Sequence, residues 1–223
     1  MQMKTNFEIT EDGSHTLFVP ELNEHYHSTH GAVQESMHVY INAGLHECTK
    51  KQIHILEIGF GTGLNAYLSL LEAEKDQKKI EYTALELFPV PLEKATLLNY
   101  SEGKSTTEKE WYIKLHTSEW NSKQVISPYF SIEKLNTDVS NPSEIHLTSL
   151  FDVIYFDAFA PEKQPELWTY EIFQYLYKHC NKGAILNTYC AKGSVRRILQ
   201  SIGFKIERLP GPPGKREILR AIK

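Results

Sequence analysis

"ILEIGFGTGLN", residues 55–65, is the stretch whose reading decides the fold. An apolar run ends in the acid Glu57, and glycines follow at alternate positions, Gly59, Gly61 and Gly63. This order fits a buried strand, a tight turn and a helix start, and Leu64, Leu68 and Leu71 carry the helical spacing onward. A dinucleotide fingerprint would need a glycine at position 64, where the chain has Leu64, and no G-K-[ST] triplet follows to make a phosphate loop. Alternate glycines instead suit a cofactor without a pyrophosphate, S-adenosylmethionine, since a backbone without Cβ atoms lets a ligand approach closely. The ordinary alternative is a glycine-rich strand-to-helix turn that holds nothing.

Working outward, strands and helices alternate. "IEYTALEL" reads as a second strand and "VPLEKATLLNY" as a helix, whereas residues 101–128 are polar and show no clear period. "FSIEKL" is a third strand, "FDVIYFDAF" a fourth, and "PELWTYEIFQYLYKHC" an amphipathic helix opened by Pro165. Strand "GAILNTYC", helix "SVRRILQSI" and strands "FKIERLP" and "REILRAIK" complete the run, the last two joined by the tight return "GPPGK". Such alternation predicts an α/β fold, a doubly wound Rossmann-like sheet with an antiparallel C-terminal strand. Residues 1–50 read differently, as a hairpin around "EDGSH" and then a helix with Val33, Met37, Ile41 and Leu45 on one face. They form the expected N-terminal cap, beside a single compact unit over 51–223.

Length and composition narrow the class. A chain of 223 residues can bury one sizeable core. No apolar run is long enough to cross a membrane, and the N-terminus lacks the basic-then-apolar profile of a secretory signal. Cys48, Cys180 and Cys190 are few, odd in number and widely spaced, which fits a reduced cytoplasm. The net charge of −4 hides an asymmetry. Residues 1–177 hold 13 Lys, no Arg and 26 Asp or Glu, while residues 178–223 hold 11 Lys or Arg against Glu207 and Glu217. All five arginines, Arg196, Arg197, Arg208, Arg216 and Arg220, fall in that last section. The split fits a polyanion partner for one face; it equally fits an acidic domain whose basic residues fall late.

The strand ends carry the candidate chemistry. Glu86 closes the second strand, where a carboxylate can accept both hydroxyls of a ribose. Asp138 follows the third strand and can accept from an adenine amino group, although "LNTDVSN" is also a turn that Asp caps. Asp157 ends the fourth strand, followed by Phe159 and Pro161. It can accept a hydrogen bond from an attacking amine, with Phe159 and Trp168 beside a planar base; a capping Asp and two core aromatics are the plain alternative, and for Trp168 core packing leads. His25, His27 and His30 lie close in sequence, but no cysteine or carboxylate completes a recognisable metal-ligand set.

Taken together, "LEIGFGTGLN", "ALELFP", "YFDAFAPEKQPELWT", "GPPGKREILRA" and the N-terminal "YHSTHGAVQESMHVYINAGL" resemble the methyltransferase of the MnmC/MnmD family, over nearly the whole chain. The resemblance implies a methyl group passed from S-adenosyl-L-methionine to 5-aminomethyl-2-thiouridine in the tRNA anticodon arm. It further implies cofactor-binding roles for Glu57, Gly59, Gly61, Gly63, Glu86 and Asp138, and a catalytic Asp157. Substrate-binding roles fall to Glu35, Phe159 and Pro161, and the charge split adds Arg196, Arg197, Lys215 and Arg216. Many members carry an FAD-dependent oxidase domain, for which 223 residues leave no room. A stand-alone methyltransferase is therefore expected, with a separate enzyme supplying the aminomethyl substrate and no membrane partner. One departure is visible: Ala158 follows Asp157 where the two-domain form has Gly. Two rivals remain open, an aminopropyl transferase acting on a small amine and a catalytically silent RNA-binding module.

Overall fold

The computed structural model describes residues 3–223. Its main sheet is built from β4 (Gln52–Ile58), β5 (Lys79–Glu86), β6 (Lys123–Ser127), β7 (Phe130–Asn136), β8 (Phe151–Phe156), β9 (Cys180–Thr188), β10 (Lys205–Pro210) and β11 (Glu217–Ile222). The spatial order is β10-β11-β9-β8-β4-β5-β7-β6. β7, β5, β4, β8 and β9 run parallel, and β11, β10 and β6 are antiparallel to their neighbours. This is a doubly wound Rossmann-like sheet. The order reverses between β4 and β8, the place where a crevice opens at the carboxyl ends of the strands.

Burial explains the sequence pattern. Every residue of β8 is buried, as are Ile55 to Ile58 of β4, so both read as nearly continuous apolar runs. Alternate side chains feed two cores. Ile55, Tyr82 and Tyr155 pack with Tyr40, Tyr67 and Tyr112 on one face, whereas Leu56, Ile154 and Phe156 pack with Trp168, Phe173 and Leu199 on the other. The first face is covered by α1 (Ala32–Ser36) with its π-helical continuation Met37–Asn42, by α2 (Leu64–Asp76) and by α4 (Thr106–Thr117), which follows the single turn α3 (Leu92–Ala95). The second is covered by α5 (Tyr170–Lys178) and α6 (Gly193–Ile202). A separate antiparallel sheet, β1 (Asn6–Ile9), β2 (His15–Val19) and β3 (Glu24–His25), stands at the N-terminus.

Three local readings change. The polar stretch 101–128 contains α4 and β6; α4 starts at a reciprocal capping box between Ser105 and Glu108. The expected helix over "VPLEKATLLNY" shrinks to α3 and a 3₁₀ turn at Asn99–Ser101. Pro165 opens only a 3₁₀ turn, and α5 starts later, where the Thr169 hydroxyl accepts from the Ile172 amide. Trp168 therefore precedes the helix, buried, with its indole N–H donated to the Phe159 carbonyl at 2.8 Å.

At the end of the sheet opposite the crevice, Asp152 is only 4 % exposed. It accepts from the Lys50 ammonium at 2.5 Å, the His54 amide at 3.0 Å and the Asn181 amide nitrogen at 2.7 Å. One carboxylate thus joins β4, β8 and β9. Asp152→Ala leaves these donors without their acceptor and is expected to cost about 1–3 kcal/mol of stability. Urea denaturation checks this as a lower midpoint at unchanged slope; an unchanged midpoint contradicts it.

Candidate active site

The carboxyl ends of β4, β5 and β8 enclose a cavity of about 280 Å³. Its walls come from the loops after those strands, from residues 24–29, and from Glu35, Tyr189 and Lys215. Both ends of the chain therefore reach a site that the glycine loop begins.

Two of the three glycines face this space. Gly59, at φ 91°, lies so near β8 that an added Cβ would meet the Asp157 carbonyl at 2.7 Å. Gly61, at φ 49°, faces the Tyr26 ring, and its amide donates to Glu86 Oε2 at 2.9 Å. Gly63 does not line the cavity; its missing Cβ makes room for the His116 ring and Phe60, so it serves packing against α4. Glu57 also stands behind the wall, 0 % exposed. Burial holds its carboxyl well above the usual carboxylate range, and a neutral group needs no counter-charge there. Glu57 and Gly63 thus lie outside the lining, beneath the glycine loop they were expected to support and to form.

Glu86 lines the cavity and also accepts the Phe88 amide at 2.7 Å, so its carboxylate ties the loop after β4 to the loop after β5. Burial raises its pKa, against the lowering effect of these amides. Asp138 lines the cavity too, and at the same time caps its own turn by accepting from the Ser140 amide at 2.8 Å. Phe159 lies in the wall with its ring 5.2 Å from Tyr26, whereas Pro161 falls outside the lining.

Asp157 sits at the centre. Its Oδ1 accepts the Tyr40 hydroxyl at 2.6 Å and its Oδ2 accepts the Asn65 side-chain amide at 2.8 Å. The same Asn65 nitrogen donates to Glu57 Oε1 at 2.9 Å. Burial pushes the Asp157 pKa up to about 7; the Tyr40 bond and Lys215 oppose this, and Glu35 adds to it. The carboxyl therefore exchanges a proton near neutrality, the range a general base needs.

Glu35 is buried in the wall, where it accepts the Ser28 amide at 2.8 Å and the Lys215 ammonium at 2.5 Å. That contact corrects the expectation for Lys215, which points into the cavity and not onto an exposed basic face. Arg196, Arg197 and Arg216 lie outside the lining. Glu217 is gripped by the fork of Arg208, not by Arg197 or Arg216, at 2.6 and 3.0 Å. That bond, helped by the charges of Arg208, Arg216 and Arg196, lowers the Glu217 pKa, so three arginines converge on one exposed acid. The three histidines part company. His25 meets Glu8, His30 meets Glu11, and His27 is buried with its ring 2.7 Å from the Thr62 hydroxyl. Burial lowers the His27 pKa to about 4, so a neutral imidazole clamps the glycine loop.

Sequence reasoning missed Tyr40, Asn65 and Tyr189. Asn65 stood within the glycine stretch as a buried polar residue opening a helix, a legible signal. Tyr40 lies off the Val33–Met37–Ile41 stripe, and nothing in that spacing turns it toward Asp157.

The cavity fits S-adenosyl-L-methionine. Gly59 and Gly61 leave backbone bare along one wall, Glu86 supplies a carboxylate, and the buried Asn65 Oδ1 has no hydrogen-bond partner among the described residues. An unpartnered buried acceptor suits an ammonium donor.

Residues 122–223 match a family model described as S-adenosyl-L-methionine-dependent methyltransferase. The chain is 27 % identical over 237 positions to the tRNA 5-methylaminomethyl-2-thiouridine biosynthesis bifunctional protein MnmC of Delftia acidovorans, covering 100 % of this chain and 35 % of that protein. The corresponding protein of Azoarcus sp. is 28 % identical over 229 positions, covering 95 % of this chain and 34 % of the relative. The chain thus spans 34–35 % of the length of these relatives. The crystal structure of MNMC2 from Aquifex aeolicus superposes with a TM-score of 0.79 at 25 % identity, covering 99 % of this chain and 70 % of that one.

Tyr40→Phe removes a donor that favours the ionised Asp157, so the carboxyl pKa is expected to rise above about 7. Titration of carbon-13-labelled aspartate by NMR reads it; an unchanged midpoint would show that the phenol bond does not hold the charge.

Proposed function

From this likeness to S-adenosyl-L-methionine-dependent methyltransferases, we propose that this chain methylates the amino group of 5-aminomethyl-2-thiouridine at the wobble position of tRNA. The product is 5-methylaminomethyl-2-thiouridine. The observation that carries this reading is the half-buried Asp157 carboxyl, held by Tyr40 and Asn65 in the cavity wall. The relatives' printed role in making this nucleoside agrees with it.

When bound, S-adenosyl-L-methionine supplies a methyl group activated on a sulfonium. Glu86 and Asp138 would hold the ribose and adenine ends, beside the Gly59–Gly61 turn in the same wall. Asp157 accepts an N–H of the substrate amine, orients its lone pair, and takes the proton released when the methylated ammonium becomes a neutral secondary amine. Tyr40 and Asn65 keep both carboxylate oxygens in place. Phe159 and Tyr26 wall the pocket and exclude water. The ion pair of Glu35 with Lys215 leaves Asp157 as the carboxyl free to serve the amine. A polyamine substrate for aminopropyl transfer would meet the Lys215 ammonium in the same wall, which disfavours that rival. The arginines near Glu217, with Arg197 on the same helix as Arg196, form the face for tRNA phosphates. A tRNA substrate puts the reaction in the cytoplasm, and its aminomethyl group comes from a preceding oxidative step on the wobble uridine.

The purified chain, incubated with cofactor and an anticodon stem-loop carrying 5-aminomethyl-2-thiouridine, tests the reading. Nucleoside mass analysis should show gain of one methyl group, and tRNA from cells lacking the gene should keep the unmethylated amine. Asp157→Asn is expected to lower kcat at least about tenfold, roughly 1.4 kcal/mol, with little change in cofactor affinity. The ionised carboxyl accepts the proton and is lost as pH falls through about 7. Below that value kcat/KM of the native chain therefore declines, and Asp157→Asn removes this limb. Near-normal turnover of the variant would reduce Asp157 to a structural cap. Replacing Arg196 and Arg216 by Ala should flatten the salt dependence of tRNA affinity by roughly one unit of slope per lost phosphate contact. Calorimetry over a salt series checks this, and cofactor affinity should not move.

A further inference from the structure

Among the groups of the cavity wall, the Tyr189 hydroxyl has no task in the proposed transfer. Tyr189, just beyond the end of β9, lines the site, and its hydroxyl donates to the carbonyl of Ala158 at 2.8 Å. Ala158 is the chain neighbour of Asp157, so the phenol oxygen ends beside the residue that serves the amine. Its one proton is committed to that carbonyl, which leaves the oxygen able only to accept. The ring cannot swing away freely. The Lys215 ammonium stands 4.3 Å over its face, and Trp168 meets it edge-on at 6.3 Å. Burial, and then the charge of Asp157, keep the hydroxyl protonated and neutral.

We propose that Tyr189 is a specificity-determining residue that confines the reaction to a single methyl group, by accepting the second N–H of the substrate amine. This rests on the amine methylation argued above. A primary amine has one lone pair and two N–H groups. With one N–H on Asp157 and the other on the Tyr189 oxygen, the lone pair is left to form the new N–C bond, while the donor's methyl–sulfur bond breaks and its electron pair stays on sulfur as a neutral thioether. The nitrogen then carries two protons and a positive charge, and Asp157 takes one of those protons. The secondary amine that results has one N–H. To present its lone pair again it must turn the new methyl group toward Asp157 or toward Tyr189. Either way a methyl group replaces a donor against a buried oxygen, which loses its partner and gains a steric contact. A first transfer satisfies both acceptors, and a second cannot.

The test uses the full chain and two anticodon stem-loops, one carrying 5-aminomethyl-2-thiouridine and one the monomethylated nucleoside. Mass analysis follows one and two added methyl groups with cofactor in excess. The native chain should turn over the first RNA and act on the second only at a small, measurable fraction of that rate. Tyr189→Phe removes the oxygen and keeps the ring, and the ratio of kcat/KM on the second RNA to that on the first should rise roughly tenfold or more, since a site that hydrogen-bonds its substrate discriminates by at least that much. Tyr189→Leu is run beside it in case the Phe variant does not fold. A dimethylated product from either variant, at a raised ratio, supports the proposal. No rise of the ratio in both variants overturns it, as does a native chain that already adds two methyl groups. A native chain that methylates neither RNA overturns the proposed function instead, so the two failures are told apart.

Discussion

One side-chain amide nitrogen, that of Asn65, donates to two carboxyls at once, the buried Glu57 at 2.9 Å and the half-buried Asp157 at 2.8 Å. It joins the start of α2 to the ends of β4 and β8, the pair of strands at which the sheet order reverses. Two ionised carboxylates bridged by one neutral amide would repel in a buried site, so the arrangement holds only with a proton on at least one of them. Glu57, wholly buried, takes that proton, and Asp157 is left poised near neutrality. The linkage to stability has a definite sign. Folding raises the Asp157 pKa from 3.8 to about 7, so the folded state holds its proton more tightly than the unfolded chain. That contribution is fully present below 3.8 and is lost as pH rises through about 7. At neutral pH the site is therefore held in place by the rest of the fold, at some cost to stability.

What holds it is contact between the two ends of the chain. The His38 ring meets the Pro210 carbonyl at 2.7 Å, Asn187 donates to the Ala43 carbonyl at 2.9 Å, and Arg220 joins Glu47 to Glu207. The π-helical continuation of α1 lies inside this clasp, and Tyr40 projects from it to Asp157. The N-terminal segment thus contributes a donor to the central carboxyl as well as a cover for the cavity.

The sheet was legible because a strand buried on both faces can be little but apolar, and because alternate glycines after an acid leave few conformations. Glu86, Asp138 and Asp157 were found by one rule, that strand carboxyl ends in such a sheet share a crevice. The misses have equally physical causes. Helix α4 buries only Tyr112 and Leu115, too few to impose a period on a polar stretch. Lys215 was grouped with the arginines because a count of charge carries no direction; the tight return that places it decides that it turns inward to Glu35. Tyr40 depends on a π-helical turn, which shifts side chains off the ordinary helical stripe.

The ion pair between Glu35 and Lys215 closes a loop of 180 residues. A contact so distant in sequence carries a large loop-closure cost, which the rest of the fold has to offset. The hairpin of β10 and β11, which bears Lys215, lies at the edge of the sheet, where opening disturbs the fewest neighbours. Its fraying would part Lys215 from Glu35 while the central strands β4 and β8 keep their neighbours. Ligands that bridge both walls of the cavity would in turn slow hydrogen exchange in this hairpin first, well before the central strands register their presence.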